Sequence, residues 1–99
     1  MVCKFKLKTG FFETKPCTLS VREKAISVFY DDDSDDEEIL IMDNDLLSIS
    51  VIIRNHTTTE IRIHTMDAIY TGYSLDENKT DGIIKSFLNE FSHKVCIEN

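Results

Sequence analysis

The sequence predicts a mainly β domain, about seven short antiparallel strands followed by one amphipathic helix. Three observations carry this. Apolar and polar residues alternate with period two in short runs spaced by roughly ten residues, the pattern of a sandwich or barrel. Polar turn formers separate the runs. Near residue 81 the apolar period changes to that of an α-helix. Ninety-nine residues correspond to one domain, 1–99, with strands over about 3–74 and the helix over about 81–95.

The elements follow in order. In "CKFKLK" Cys3, Phe5 and Leu7 point one way and Lys4, Lys6 and Lys8 the other, as in a half-buried strand. Gly10 permits a turn, and "FFET" prolongs or restarts the strand. "CTLSVR" brings Leu19 and Val21 inward, and Glu23-Lys24 forms a tight hairpin into "AISVFY", where Ile26, Val28 and Tyr30 share a face. "EILIMD" alternates Ile39 and Ile41 with Leu40 and Met42, and "DND" is turn chemistry. "LSISVIIR" places Leu47, Ile49, Val51 and Ile53 on one face. "EIRIHT" places Ile61 and Ile63 in, with Glu60, Arg62 and His64 out. "AIYTGYS" closes the strand series. In "DGIIKSFLNEFSHKV" Ile83, Ile84, Phe87, Leu88, Phe91 and Val95 form one helical stripe, with Asn78, Thr80 and Asp81 as cap candidates.

Charge limits the partners. The net charge is −7, which disfavours nucleic acid because phosphate repels an acidic surface. The charge is uneven. Residues 1–24 carry six basic and two acidic side chains, a net of +4, and residues 25–99 carry five and sixteen, a net of −11. No apolar run reaches the ~18 residues of a transmembrane helix. The N-terminal "MVCKFKLKTG" lacks the continuous apolar segment of a signal peptide, so the expected compartment is the cytoplasm. Cys3, Cys17 and Cys96 lack metal-knuckle spacing and read as reduced thiols. His56, His64 and His93 stand at no metal-ligand spacing, and no cofactor is implied.

The acidic segment 31–38 holds five Asp and two Glu around Ser34. An EF-hand frame beginning at Asp31 fits at Asp33 and Asp35. It fails at Asp36, where glycine is needed, and at Met42, where glutamate is needed. Weak calcium binding and phosphorylation of Ser34 by an acid-directed kinase stay open beside the simplest reading, a long solvated hairpin loop that discourages edge pairing.

Seven short strands and a final amphipathic helix resemble the pleckstrin-homology-like (PH-like) superfold. "TLSVREKAISVFY" looks like its early meander, and "EEILIMDNDLLSISVIIRN", "TEIRIHTMDAIYTGYS" and "TDGIIKSFLNEF" look like the second half of small bacterial PH-like and GRAM-like domains. The resemblance covers about residues 3–95 and rests on element order and apolar pattern. It implies a split barrel with the helix plugging one open end. The tryptophan that many such helices carry is absent, leaving its packing to Phe87 or Phe91. A plain six- or seven-stranded barrel with a packed helix is the structural alternative.

The resemblance implies a binding platform, here one engaging protein. The alternative is an anionic lipid or phosphoinositide headgroup held by Lys6, Lys8, Lys15, Arg22 and Lys24, since Arg forks onto phosphate and Lys supplies point charge. Lys4, Lys6 and Lys8 also read as the solvated face of an edge strand, where Lys guards against pairing. Leu40, Met42 and Ile52 are candidate protein contacts on polar sides of strands. No nucleophile elbow or phosphate-cradling glycine loop occurs, so no enzymatic activity is expected.

Overall fold

A computed structural model describes residues 1–31, 38–54, 58–74 and 77–98. Eight strands form one mixed sheet. They are β1 (Val2–Lys8), β2 (Thr14–Arg22), β3 (Ala25–Tyr30), β4 (Ile39–Met42), β5 (Leu46–Ile53), β6 (Thr59–Thr65), β7 (Ile69–Ser74) and β8 (Val95–Glu98). Helix α1 (Glu77–Phe91) lies between β7 and β8. The strand order is β4-β3-β2-β1-β7-β6-β5-β8, and the sheet is not closed, so β4 and β8 are its edges. Among the described residues no helix is long and apolar enough to cross a membrane.

The period-two faces hold for most strands. Cys3, Phe5, Leu7, Cys17, Leu19, Val21, Ile26, Val28 and Ile41 are buried, as are Ile49, Val51, Ile61 and Ile63 further along the sheet. Ile83, Phe87 and Phe91 complete the core from the helix. Cys3 and Cys17 are buried and Cys96 is exposed.

β1 pairs with β2 along its whole length but with β7 only through Lys6↔Tyr73 and Leu7↔Gly72. This short junction joins the β1–β4 meander to the β5–β7 meander. Gly72 is required there by packing. A Cβ at this position would overlap Phe5 Cζ and lie 2.5–2.6 Å from its two Cε atoms. The Phe5 ring occupies the space that any other residue would fill.

The Glu23-Lys24 hairpin forms as the sequence predicts, with Arg22↔Ala25 as its last pair. Both turn residues have positive φ, 53° and 57°. This is the left-handed geometry that suits strand twist and normally selects Asn-Gly. The Lys24 backbone N–H donates to Glu90 Oε1 at 2.8 Å, tying the turn to the helix.

Several expectations are corrected. Among the described residues there are eight strands, not about seven, and β8 runs parallel to β5, with Ile49↔Val95 and Val51↔Ile97. The helix spans Glu77–Phe91 instead of about 81–95. At Phe91 the backbone leaves helical geometry (φ −134°, ψ 37°), and a 3-10 turn, Ser92–Lys94, leads into β8. Lys94 Nζ anchors that turn by donating to the Asp43 carbonyl at 2.6 Å. Leu88 is exposed, outside the buried stripe.

Leu46, not Leu47, faces the core. A bulge between Leu46 and Ser48 leaves Leu47 unpaired and turned to solvent. Glu60 lies on the non-core face as expected, yet only 4% of it is exposed. Arg62 Nε donates to it at 2.5 Å and Arg54 Nη2 at 3.2 Å, which compensates the buried carboxylate. The "FFET" segment does not prolong β1, which ends at Lys8; its last residue, Thr14, opens β2, and Phe11, Phe12 and Glu13 lie between the two strands.

Candidate functional site

The five basic residues singled out in the sequence are not one cluster. Lys6 and Lys8 lie on the outer face of β1, and Lys15 lies across from Leu7 on β2. Arg22 ends β2 and Lys24 sits in the turn beyond it. β2 has nine residues. At ~3.3 Å per residue this separates Lys15 from Arg22 by roughly 23 Å. One end of the sheet therefore gathers Lys6, Lys8 and Lys15, while Arg22 and Lys24 mark the opposite end. Lys15 Nζ stands 5.5 Å from the Tyr30 ring centroid and Lys8 Nζ 5.9 Å from that of Phe11.

A cleft of about 340 Å³ lies across β2, β1 and β7, lined by Lys4, Phe5, Lys6, Pro16, Cys17, Asp31 and Tyr73. Its charge is already balanced in part. Lys4 Nζ reaches Asp31 Oδ2 and Thr18 Oγ1, both at 3.2 Å, and Thr18 Oγ1 donates to Asp31 Oδ1 at 2.8 Å. The Thr18 hydroxyl, followed by Lys4, holds the Asp31 carboxyl below its ordinary range despite an opposing desolvation effect. Lys4 is thus paired with Asp31, and Lys6 adds a positive charge to a lining whose other side chains are uncharged.

Three of the exposed apolar side chains share a face elsewhere on the sheet. Register pairs Leu40 with Ser27 and Met42 with Ala25, while Ile41 and Ile26 point to the core. Leu40, Met42 and Phe29 thus share the outer face of β3 and β4, all three exposed, Leu40 at 57%. This face borders the free edge of β4. Leu40 and Met42 were legible as outward residues. Phe29 was missed, although a phenylalanine on the polar phase of "AISVFY" is the signal that finds it. Ile52, the third sequence candidate, is half-buried opposite Glu60 and adds little surface.

The β1–β2 loop, residues 9–13, supplies a second exposed feature. Thr9 N–H donates to the Glu13 carbonyl at 3.0 Å and closes the loop. Phe11 and Phe12 project from it, 82% and 93% exposed. Their rings meet edge to face, with centroids 4.7 Å apart. The calcium and Ser34 readings fall mainly on residues 32–37, outside the described residues.

Ser74 Oγ and Thr80 Oγ1 form a buried hydroxyl pair at 2.6 Å between β7 and the first turn of the helix. This pair fixes the helix to the strand before it. No protein-family model matches the chain, and no curated protein matches it as a relative.

Proposed function

We propose that this chain is a non-enzymatic, cytoplasmic binding module that engages a protein partner through the free edge and outer face of β4. The observation that carries this reading is the apolar group Phe29, Leu40 and Met42, exposed beside a strand edge that no other strand pairs among the described residues. An open edge offers main-chain donors and acceptors to an added strand, and side chains on its face give selectivity. Carboxylates flank the strand in sequence, segment 31–38 before it and Asp43 and Asp45 after it. Charge complementarity therefore favours an extended segment that alternates basic and apolar residues.

A PH-like arrangement is part of the same proposal. Two meanders joined through β1 and β7, with a helix following β7, support it. So does the extent of burial. A helix of fifteen residues spans about 22 Å by 10 Å, whereas eight strands at ~4.8 Å spacing are far wider. One helix does not cover the core face alone, which favours two sheet halves folded over each other.

Anionic lipid binding is the second reading. Lys6, Lys8 and Lys15 at one end of the sheet favour it. The removal of Arg22 and Lys24 to the other end, the Lys4–Asp31 pair and the net charge of −7 count against it.

The test is crosslinking capture in the source cell with three chains: the parent, Leu40→Lys/Met42→Lys, and Lys6→Glu/Lys8→Glu/Lys15→Glu. The expected result is a partner lost from the β4 variant and still captured, at most more weakly, by the lysine variant, with all three melting alike. Loss only in the lysine variant, together with sedimentation of the parent on vesicles containing phosphatidylserine, would favour the lipid reading.

A further inference from the structure

The Phe11–Phe12 pair has no role in the fold. Neither ring reaches the core, and the two are among the most exposed apolar side chains described. Exposed aromatic pairs cost solubility, and a contiguous one marks a contact surface. The loop also holds the rings ready. Thr9 N–H to Glu13 closes five residues immediately after the last strand pair, Lys8↔Thr14. Phenylalanine has only two side-chain torsions, so seating it in a pocket orders little that was free.

The surroundings of the tip state what kind of pocket fits. Lys8 Nζ stands near the Phe11 ring, Lys15 follows the loop on β2, and Lys6 precedes it on β1. Glu13 is the one carboxylate within the loop. The knob is therefore aromatic at its centre and cationic around its base. A complementary surface is an apolar pocket ringed by carboxylates.

A flat anionic bilayer matches the same collar less well. The chain as a whole carries a net charge of −7, which an extended anionic plane repels. A discrete pocket takes the tip alone.

We infer that the Phe11–Phe12 hairpin tip is an anchor that inserts into an apolar, acid-rimmed pocket on a partner protein. The inference rests on the protein-binding reading but not on the β4 face, so the two fail separately.

The test places p-benzoylphenylalanine at position 12 of the full chain in the source cell, with the exposed position 66 as control. Adducts at position 12 are mapped by mass spectrometry, and the adduct protein is purified for affinity measurement. The expected result is one protein site, absent from the control, with Asp or Glu around the modified residue. Phe11→Ser/Phe12→Ser should weaken that complex on the order of thirtyfold or more, as for a buried aromatic anchor. Lys8→Glu/Lys15→Glu should weaken it about tenfold and remove most of its salt dependence. Both variants should melt as the parent does, because the residues are exposed. Adducts to lipid, to a second copy of this chain, or equally from position 66 would overturn the inference. So would pelleting with 7:3 phosphatidylcholine–phosphatidylserine vesicles that is lost in Phe11→Ser/Phe12→Ser. A mapped site without carboxylates would also overturn it.

Discussion

Gly72→Ala isolates the junction between the two meanders. The methyl group it adds would overlap Phe5 Cζ and lie 2.5–2.6 Å from the neighbouring ring atoms. Ordinary carbon contacts are ~3.5–4.0 Å, so the ring or the strand must move by more than 1 Å. Phe5 is buried among core side chains and has little room to do so. Overpacking of this kind costs about 1–3 kcal/mol, and the extra clash favours the upper half. Alanine recovers roughly 0.5 kcal/mol by restricting the unfolded chain. The net expectation is a loss of about 2 kcal/mol. With a urea dependence of about 1.5 kcal/mol per molar, the midpoint falls by somewhat more than 1 M. Phe5→Leu alone also destabilises, but it removes the colliding ring atoms. The double variant should then be barely less stable than Phe5→Leu, with a coupling of at least ~1 kcal/mol. The assay is urea unfolding followed by circular dichroism for all four chains. An unchanged midpoint for Gly72→Ala, or strict additivity in the double variant, would refute the packing described at this junction.

Three further outcomes are expected. Lys24→Gly should raise stability by about 0.5–1 kcal/mol in the same assay, because it relieves a left-handed backbone while keeping the N–H bond to Glu90. Thr18→Val should raise the pKa of Asp31, read by carboxyl NMR, because the Thr18 hydroxyl is the largest cause of its lowering. Since the folded value is depressed, that stabilisation is present above the ordinary carboxylate range and is lost as pH falls through the lowered folded value. Thr18→Val and the parent should accordingly differ most near neutral pH and converge in acid. Phe87→Ala removes a fully buried ring from the helix and should cost about 3–5 kcal/mol, measured as a large drop in Tm.

Much of this fold was legible in the residues. Cys3, Phe5 and Leu7 against Lys4, Lys6 and Lys8 is a pattern that a half-buried strand alone satisfies, and the same holds for Ile61 and Ile63. The failures have physical causes. Leu46 and Leu47 are adjacent and equally apolar, so alternation could not say which entered the core, and the bulge decided it. Val95 continued the helical stripe by spacing, yet the backbone had already left the helix at Phe91, and the residue opens β8 instead. Glu60 reads as a solvent residue because a carboxylate on a polar face usually is one. Its burial depends on Arg54 and Arg62, whose approach is tertiary.

The candidate surface was half legible. Leu40 and Met42 stand out as apolar residues on the outer phase of their strand. The scattering of Lys15 and Arg22 to opposite ends follows from β2 being one continuous strand, a length that sequence periodicity left shorter. Phe11 and Phe12 looked like strand residues because aromatic side chains favour strands. Only the early end of β1 at Lys8 shows them as a loop tip.

An amide NMR titration of the labelled chain with two probes tests the central claim most directly. The probes are a seven-residue peptide alternating Lys and Val, and inositol hexakisphosphate, each at moderate salt. A protein-binding β4 edge predicts saturable peptide shifts confined to Ala25–Phe29 and Ile39–Met42. It also predicts only diffuse, salt-sensitive shifts with the inositol phosphate. Saturable inositol phosphate shifts at Lys6, Lys8 and Lys15, with β4 unmoved by the peptide, would contradict it.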